Sequence, residues 1–203
     1  MTLPGISIRR ATRDDAEELA ALLGAAFMDD PVSGWIFESE ADRRRLHPGF
    51  FRPFVDLVLA AGLGHVAGDD EGTALWLPID VRADAPSGDP LDAAVEKAIG
   101  PEYFSRFSVL DGLMADHHPH HRDHAYLPLI GVRPDRQGTG VGTALLRHHL
   151  AVLDSAGTPA YLEASSERNA ALYARHGFRR MPFTLDLPDG PSLYPMWREP
   201  AAR

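Results

Sequence analysis

Seven consecutive residues, Gln137-Gly-Thr-Gly-Val-Gly-Thr143, offer the chemistry of a backbone rather than of side chains. Gly138, Gly140 and Gly142 carry no Cβ, so successive N–H groups can close around an anion. A pyrophosphate is the obvious candidate. Before this turn, Ala125 to Val132 is apolar enough for a buried strand; after it, Leu145, Leu146, Leu150, Val152 and Leu153 recur at helical spacing until Gly157 supplies a stop. The element therefore reads strand, glycine-rich turn, helix, with the anion at a helix N-terminus.

Three phosphate-binding patterns compete for this turn. A P-loop needs Lys followed by Ser or Thr after its last glycine, but Gly142 is followed by Thr143-Ala144. A dinucleotide fingerprint needs glycines at its first, third and sixth positions, and counted from Gly138 the sixth is Thr143. Glu163, at the end of the next strand, keeps an oxidoreductase reading open as a ribose-binding acid. The third pattern fits without a gap: Gln137-x-x-Gly140-x-Gly142, preceded by Val132-x-Pro134.

The elements that must hold this turn follow from the rest of the chain. Its 203 residues suit one domain over 1–203, and a hydrophobic content of 44% supports a globular core. Lys and Arg number 20 against 29 Asp and Glu, a formal charge of −9, which argues against nucleic acid or an anionic membrane as partner. The chain has no cysteine, hence no disulfide, thiolate nucleophile or cysteine-bound zinc. No apolar run reaches membrane-spanning length and Met1-Thr-Leu-Pro-Gly5 has no signal-peptide character, so a cytoplasmic protein, monomer or homodimer, is expected.

Ile6 to Arg10 suits a first strand, and a helix follows with Ala16, Leu19, Leu23 and Phe27 inward, ending near Asp29-Asp-Pro31. Pro31 to Phe37 reads as irregular. A second helix over about Ala41 to Ala61 turns Leu46, Phe50, Phe54, Leu57 and Val58 inward, with a break or kink expected at Pro48 and Pro53. Gly62 to Ala67 and Thr73 to Pro78 read as strands. Residues 80–124 form an insertion: a loop at Asp84 to Pro90, helices over Leu91 to Ile99 and Tyr103 to Ala115, then five histidines between His117 and His124. Histidine-rich runs can bind zinc, but Pro119 interrupts any regular ligand spacing, so a solvated loop with no metal is expected. Tyr161 to Ala164 is a short strand, Glu167 to Arg175 a short helix, and Phe178 to Leu187 with Leu193 to Arg198 a closing hairpin.

The Gln137 to Gly142 pattern resembles the acetyl-coenzyme A signature of the GNAT superfamily of N-acetyltransferases. Downstream, Asn169-Ala-Ala-Leu-Tyr-Ala-Arg-His-Gly-Phe178 resembles the superfamily's other signature, an Asn followed by Tyr and then Gly-Phe. Ala26-Phe-Met-Asp-Asp-Pro31, the Phe-rich second helix, a His before Tyr126-Leu127, and Leu162-Glu163 resemble its puromycin N-acetyltransferase branch. The resemblance implies an α/β (α+β) GNAT fold. That is a central, mostly antiparallel mixed sheet splayed between strands 4 and 5, with helices on both faces. It also implies an acetyl-CoA-dependent N-acetyltransferase acting on a primary amine of a small molecule by direct attack in a ternary complex. A non-catalytic acyl-CoA sensor on the same fold is the rival.

The resemblance assigns roles by position. Backbone groups of Ile130, Gly131 and Val132 hold pantetheine or thioester, and Gln137, Gly138, Thr139, Gly140, Val141, Gly142 and Thr143 hold the pyrophosphate, with Arg133 and Arg136 near phosphates. Tyr173 is the general acid, protonated at neutral pH because a free tyrosine has a pKa of about 10. Asn169 bonds the cofactor or caps its helix. The superfamily's frequent fourth-strand glutamate is missing from Ala125 to Val132, so Glu163 becomes the candidate base. Asp30, Trp35, His124 and Tyr126 are the substrate-side candidates. Phe37, Phe50, Phe51 and Trp76 are core or pocket wall.

Overall fold

The computed structural model describes residues 5–83 and 90–201. The loop expected at Asp84 to Pro90 lies outside them except for Pro90, which opens a helix. The described chain runs β1 (Ile8–Arg10), α1 (Ala16–Ala26), α2 (Pro31–Ile36), α3 (Glu40–Ala61), β2 (Gly64–Ala67) and β3 (Gly72–Ile79). It continues with α4 (Pro90–Ile99), α5 (Pro101–His117), β4 (His124–Val132), α6 (Val141–Ala156), β5 (Ala160–Ala164) and α7 (Glu167–Ala174). Strands β6 (Arg179–Arg180), β7 (Leu185–Asp186) and β8 (Ser192–Arg198) close it.

The strands form one open mixed sheet in the order β1-β2-β3-β4-β5-β8-β6, with β7 paired to β8. Among the described residues, only β4 and β5 pair in parallel. That pairing is confined to Ala125↔Ala160 and Tyr126↔Tyr161. Beyond it β4 stays beside β3 as far as Val132, while β5 stays beside β8 as far as Ala164. The two strands therefore part after Tyr126, and the facing edge of β4 keeps backbone groups with no strand to bond. The bend has a visible cause. Leu75 opposes Leu129 but Leu77 opposes Tyr126, so β4 carries one extra residue, a bulge beside Pro128, which has no N–H to give a ladder.

Side-chain alternation along β3 divides the core. Leu75 packs with α1 and α3 residues such as Leu19, Leu23, Val55 and Val58 on one face. Ala74 and Trp76 pack with Val141, Leu145, Leu146 and Leu150 of α6 on the other. Gly131 belongs to this packing: a Cβ there would lie 2.9 Å from Leu23 Cδ2 and 3.1 Å from Ala26 Cβ, so its absence lets α1 lie close on β4.

Four expectations need correction. Pro31 to Phe37 is not irregular: Asp30 caps α2 and Pro31 sits at its first turn, a helix start where a helix stop was read. Helix α3 runs unbroken through Pro48 and Pro53, because packing against α1 and α5 outweighs the two lost backbone bonds. Leu57 (44% exposed) and Val152 (54%) face outward; Phe51 and Val55 are buried instead in α3. The C-terminal hairpin is broken, β6 and β7 being separate short strands on β8.

Candidate active site

Strand register brings the central acid to its neighbours. Tyr161 and Glu163 lie two apart on β5 and so share a face, and Tyr126 of β4 stands opposite Tyr161. The Tyr126 and Tyr161 hydroxyls sit beside the Glu163 carboxyl and lower its pKa, but burial outweighs them and pushes it up to about 7. Neither Glu163 Oε1 nor Tyr161 Oη has a well-aligned hydrogen-bond partner. A buried carboxylate oxygen left open in this way is ready for an incoming donor. Burial and the Glu163 charge together hold the Tyr126 hydroxyl well above its ordinary value.

Glu163 lines a cavity of about 250 Å³ in the splay between β4 and β5. Tyr126, Leu129 and Ile130 of β4 and Tyr173 of α7 also line it, as do Phe50 and Phe54 of α3 and Phe107, Leu110, Asp111 and Met114 of α5. Tyr173 is 8% exposed and packs against Phe178 with ring centroids 6.0 Å apart. Burial, with the nearby Asp30 charge, raises its hydroxyl above the usual tyrosine range, so it remains protonated at neutral pH.

Asp30 ties two elements together at the cavity edge. Its Oδ1 accepts from the N–H groups of Val32 (2.9 Å) and Ser33 (3.1 Å). Its Oδ2 accepts from the Ser165 hydroxyl, to which Asn169 Nδ2 also donates at 3.1 Å. Ser166 supplies the cap of α7 by accepting from Asn169 N–H, so the Asn169 side chain is not needed as a cap. Burial raises the Asp30 carboxyl despite these bonds. Asp30→Ala is expected to lower unfolding free energy by about 1–2 kcal/mol through loss of the cap, with Asp30→Asn recovering most of it. Urea denaturation of the two variants checks this.

The glycine turn has the form its sequence suggests. A 3₁₀ turn at Pro134–Arg136 leads to Gly138 (φ 77°) and Gly140 (φ 96°), conformations that other L-residues enter only under strain. Gly140 caps α6 without any side-chain bond, so the N–H groups of the first turn have no partner within the helix. Gln137 Nε2 donates to Val132 O at 3.3 Å, closing the turn onto the end of β4. Arg136 pairs with Glu71 at 2.5 Å and Arg133 with Asp135 at 2.9 Å.

A model of the acetyltransferase (GNAT) domain matches residues 108–180, a span that contains β4, the glycine turn, Glu163 and Tyr173. The chain carries a GNAT acetyltransferase domain. Over 187 residues, 85% of this chain and 74% of the relative, it is 29% identical to an uncharacterised N-acetyltransferase of Schizosaccharomyces pombe. A Corynebacterium glutamicum structure described as histone acetyltransferase HPA2 and related acetyltransferase is 28% identical, with a TM-score of 0.66 over 98% of this chain and 99% of that one. The Drosophila melanogaster polyamine N-acetyltransferase shares the fold at 16% identity, with a TM-score of 0.65 over 96% and 99% of the two chains.

The GNAT domain makes the protein an acyltransferase, and the family uses acetyl-CoA as co-substrate. The residues present fit that molecule: a helix N-terminus with no side-chain cap bond, behind two positive-φ glycines, and an edge of β4 without a strand partner leading to the cavity. Of the residues singled out from the GNAT motifs, the cavity gathers Glu163, Tyr173, Asn169, Ile130, Asp30 and Tyr126. It does not gather Trp35 or His124. Trp35 donates through Nε1 to Pro188 O at 2.9 Å, on the far side of α2. His124 is buried behind Tyr161, its Nε2 3.0 Å from His118 Nε2 and its ring against Trp197. His120 and His121 are exposed in the loop before β4, but His117 is the last residue of α5 rather than part of that loop, and burial holds the His118 ring at a pKa of about 4. Among the described residues no group of three or more His, Asp or Glu is placed to hold a metal, and no helix is long and apolar enough to cross a membrane. Sequence reasoning missed Tyr161 and Ser165. The alternation Tyr161-x-Glu163 was the available signal for the first.

Proposed function

We propose that the protein transfers an acetyl group from acetyl-CoA to the amine of a small molecule by direct attack in a ternary complex. The observation that carries this reading is the Glu163 carboxyl, poised at about 7 in the cavity that Tyr173 also lines. Gln137 to Thr143 hold the pyrophosphate with backbone N–H groups at the head of α6, and Ile130, Gly131 and Val132 present the open edge of β4 to the pantetheine. Acetyl-CoA supplies the thioester: the amine nitrogen bonds to its carbonyl carbon as the C–S bond breaks, leaving an acetamide and a free thiol. Glu163 takes a proton from the substrate nitrogen, directly or through one water. Tyr173 Oη donates a proton to the departing sulfur. Of the two protons that an ammonium loses in becoming an acetamide, one reaches solvent through Glu163 and the other restores the proton that Tyr173 gives to sulfur. With no cysteine in the chain, an acetyl-cysteine intermediate has no bearer. The amine-acetylating Drosophila relative, described as forming N-acetylagmatine, supports an amine as acceptor.

Thermal unfolding with acetyl-CoA, desulfo-CoA and NADPH in parallel tests the reading. A saturating coenzyme A compound at about 100 times its Kd should stabilise the protein by roughly 2.7 kcal/mol, and NADPH should not. Stabilisation by NADPH alone would overturn it. Binding of acetyl-CoA with no thiol release across a broad amine panel would instead identify an acyl-CoA sensor.

A further inference from the structure

The lining of the cavity restricts which amine can enter, an inference that rests on the transferase reading above. Its charged side chains are all acidic: Asp30, Asp111 and Glu163. Among the described residues no Lys, Arg or His lines it. Asp30 is held by α2 and Ser165 and Asp111 has an interaction of its own, while Glu163 has the Tyr126 and Tyr161 hydroxyls beside it and keeps its Oε1 open to a donor. The remaining wall is mostly hydrocarbon, with Phe50, Phe54, Phe107, Leu110, Met114 and Leu129 contributed by three separate elements.

We infer that the acceptor is a hydrophobic monoamine bearing no carboxylate or phosphate, an arylalkylamine or a comparable alkylamine. Its nitrogen lies at Glu163 and its hydrocarbon lies against the phenyl rings of α3 and α5. A carboxylate on the carbon that bears the nitrogen would be forced close to Glu163. It would be desolvated there beside a like charge with no cation to pair it. A polyamine fails for the complementary reason, since its second ammonium would have to leave water for an apolar wall. A monoamine presents one charge to the acidic end and covers the rest of the cavity with surface that gains from burial. The α4–α5 insertion adds Leu91, Phe107, Leu110, Asp111 and Met114 to this wall and so contributes to the choice of substrate.

Thiol release from acetyl-CoA by the full-length protein decides the matter with four amines: 2-phenylethylamine, L-phenylalanine, L-phenylalanine amide and spermidine. The acid and the first amine differ only by the carboxylate, and the amide keeps its bulk without its charge. We expect kcat/KM for 2-phenylethylamine to exceed that for L-phenylalanine by at least about 100-fold and that for spermidine by at least about tenfold. The amide should fall within about tenfold of 2-phenylethylamine. Phe54→Ala should raise KM for 2-phenylethylamine several-fold and leave that for ethylamine unchanged. Equal use of L-phenylalanine or spermidine would overturn the inference while leaving amine acetylation intact. So would an amide as poor as the acid, which would make size rather than charge the barrier. Absence of thiol release with every amine would overturn the transferase reading itself.

Discussion

Replacing Glu163 with Gln is expected to reduce kcat by about 10²–10³-fold while making the protein more stable above neutral pH. The loss follows from removing the group that accepts the substrate's proton. In the native protein the carboxylate works only when ionised, so kcat should rise about tenfold per pH unit below about 7 and level off above it. The Gln variant should show no such limb. The gain in stability follows from the same pKa. Below the ordinary value of 4.5 the carboxyl is protonated in both folded and unfolded chains, and nothing is lost. As pH rises from 4.5 to about 7 the unfolded chain releases the proton while the folded site retains it, so stability falls across that window. Above about 7 the folded protein carries a penalty of up to about 3 kcal/mol, which a neutral Gln avoids. Urea titrations of both proteins at pH 5 and pH 8 should therefore diverge much more at pH 8 than at pH 5. Equal stability at both pH values, with activity retained, would show that Glu163 is neither buried as charge nor used as base.

Tyr173→Phe is expected to lower kcat by about 10²-fold and leave the KM for acetyl-CoA within a factor of a few. The ring keeps its packing against Phe178, so the fold should be preserved. What is lost is the proton for sulfur. Because burial and Asp30 hold the Tyr173 hydroxyl above its ordinary value, it stays protonated as pH rises, and the native rate should show no falling limb from this group below about pH 10. Thiol esters with better leaving groups need less help from an acid, so an activated acyl donor should partly restore turnover. Full turnover of the Phe variant with acetyl-CoA would remove Tyr173 from the chemistry.

The glycine turn was legible because its constraint is local. Only glycine enters the conformations of Gly138 and Gly140 freely, and the apolar runs on either side announce a strand and a helix. Glu163 and Tyr173 could be singled out from neighbouring motif residues, but not placed together. Their meeting depends on β4 and β5 pairing only at Ala125 and Tyr126 and then separating, a fact of register that no single segment contains. The same limit explains the substrate-side residues that do not reach the cavity. His124 shares a strand face with Tyr126, yet it stands at the closed end of the β4–β5 pair rather than in the splay. By its sequence, Trp35 falls in an irregular segment, Pro31 to Phe37. Asp30-Pro31 can stop one helix or start another, and here it starts α2, which turns the indole toward Pro188. The apolar wall from α5 was visible only as an amphipathic helix, and its role depends on where α5 packs.

The central claim is tested most directly by one reaction mixture: purified protein, acetyl-CoA and 2-phenylethylamine, with free thiol and acetylated amine both quantified. The account predicts one acetamide formed per thiol released, and thiol release near background when the amine is left out. Thiol released at the same rate without amine, or bound acetyl-CoA that no amine discharges, would contradict it.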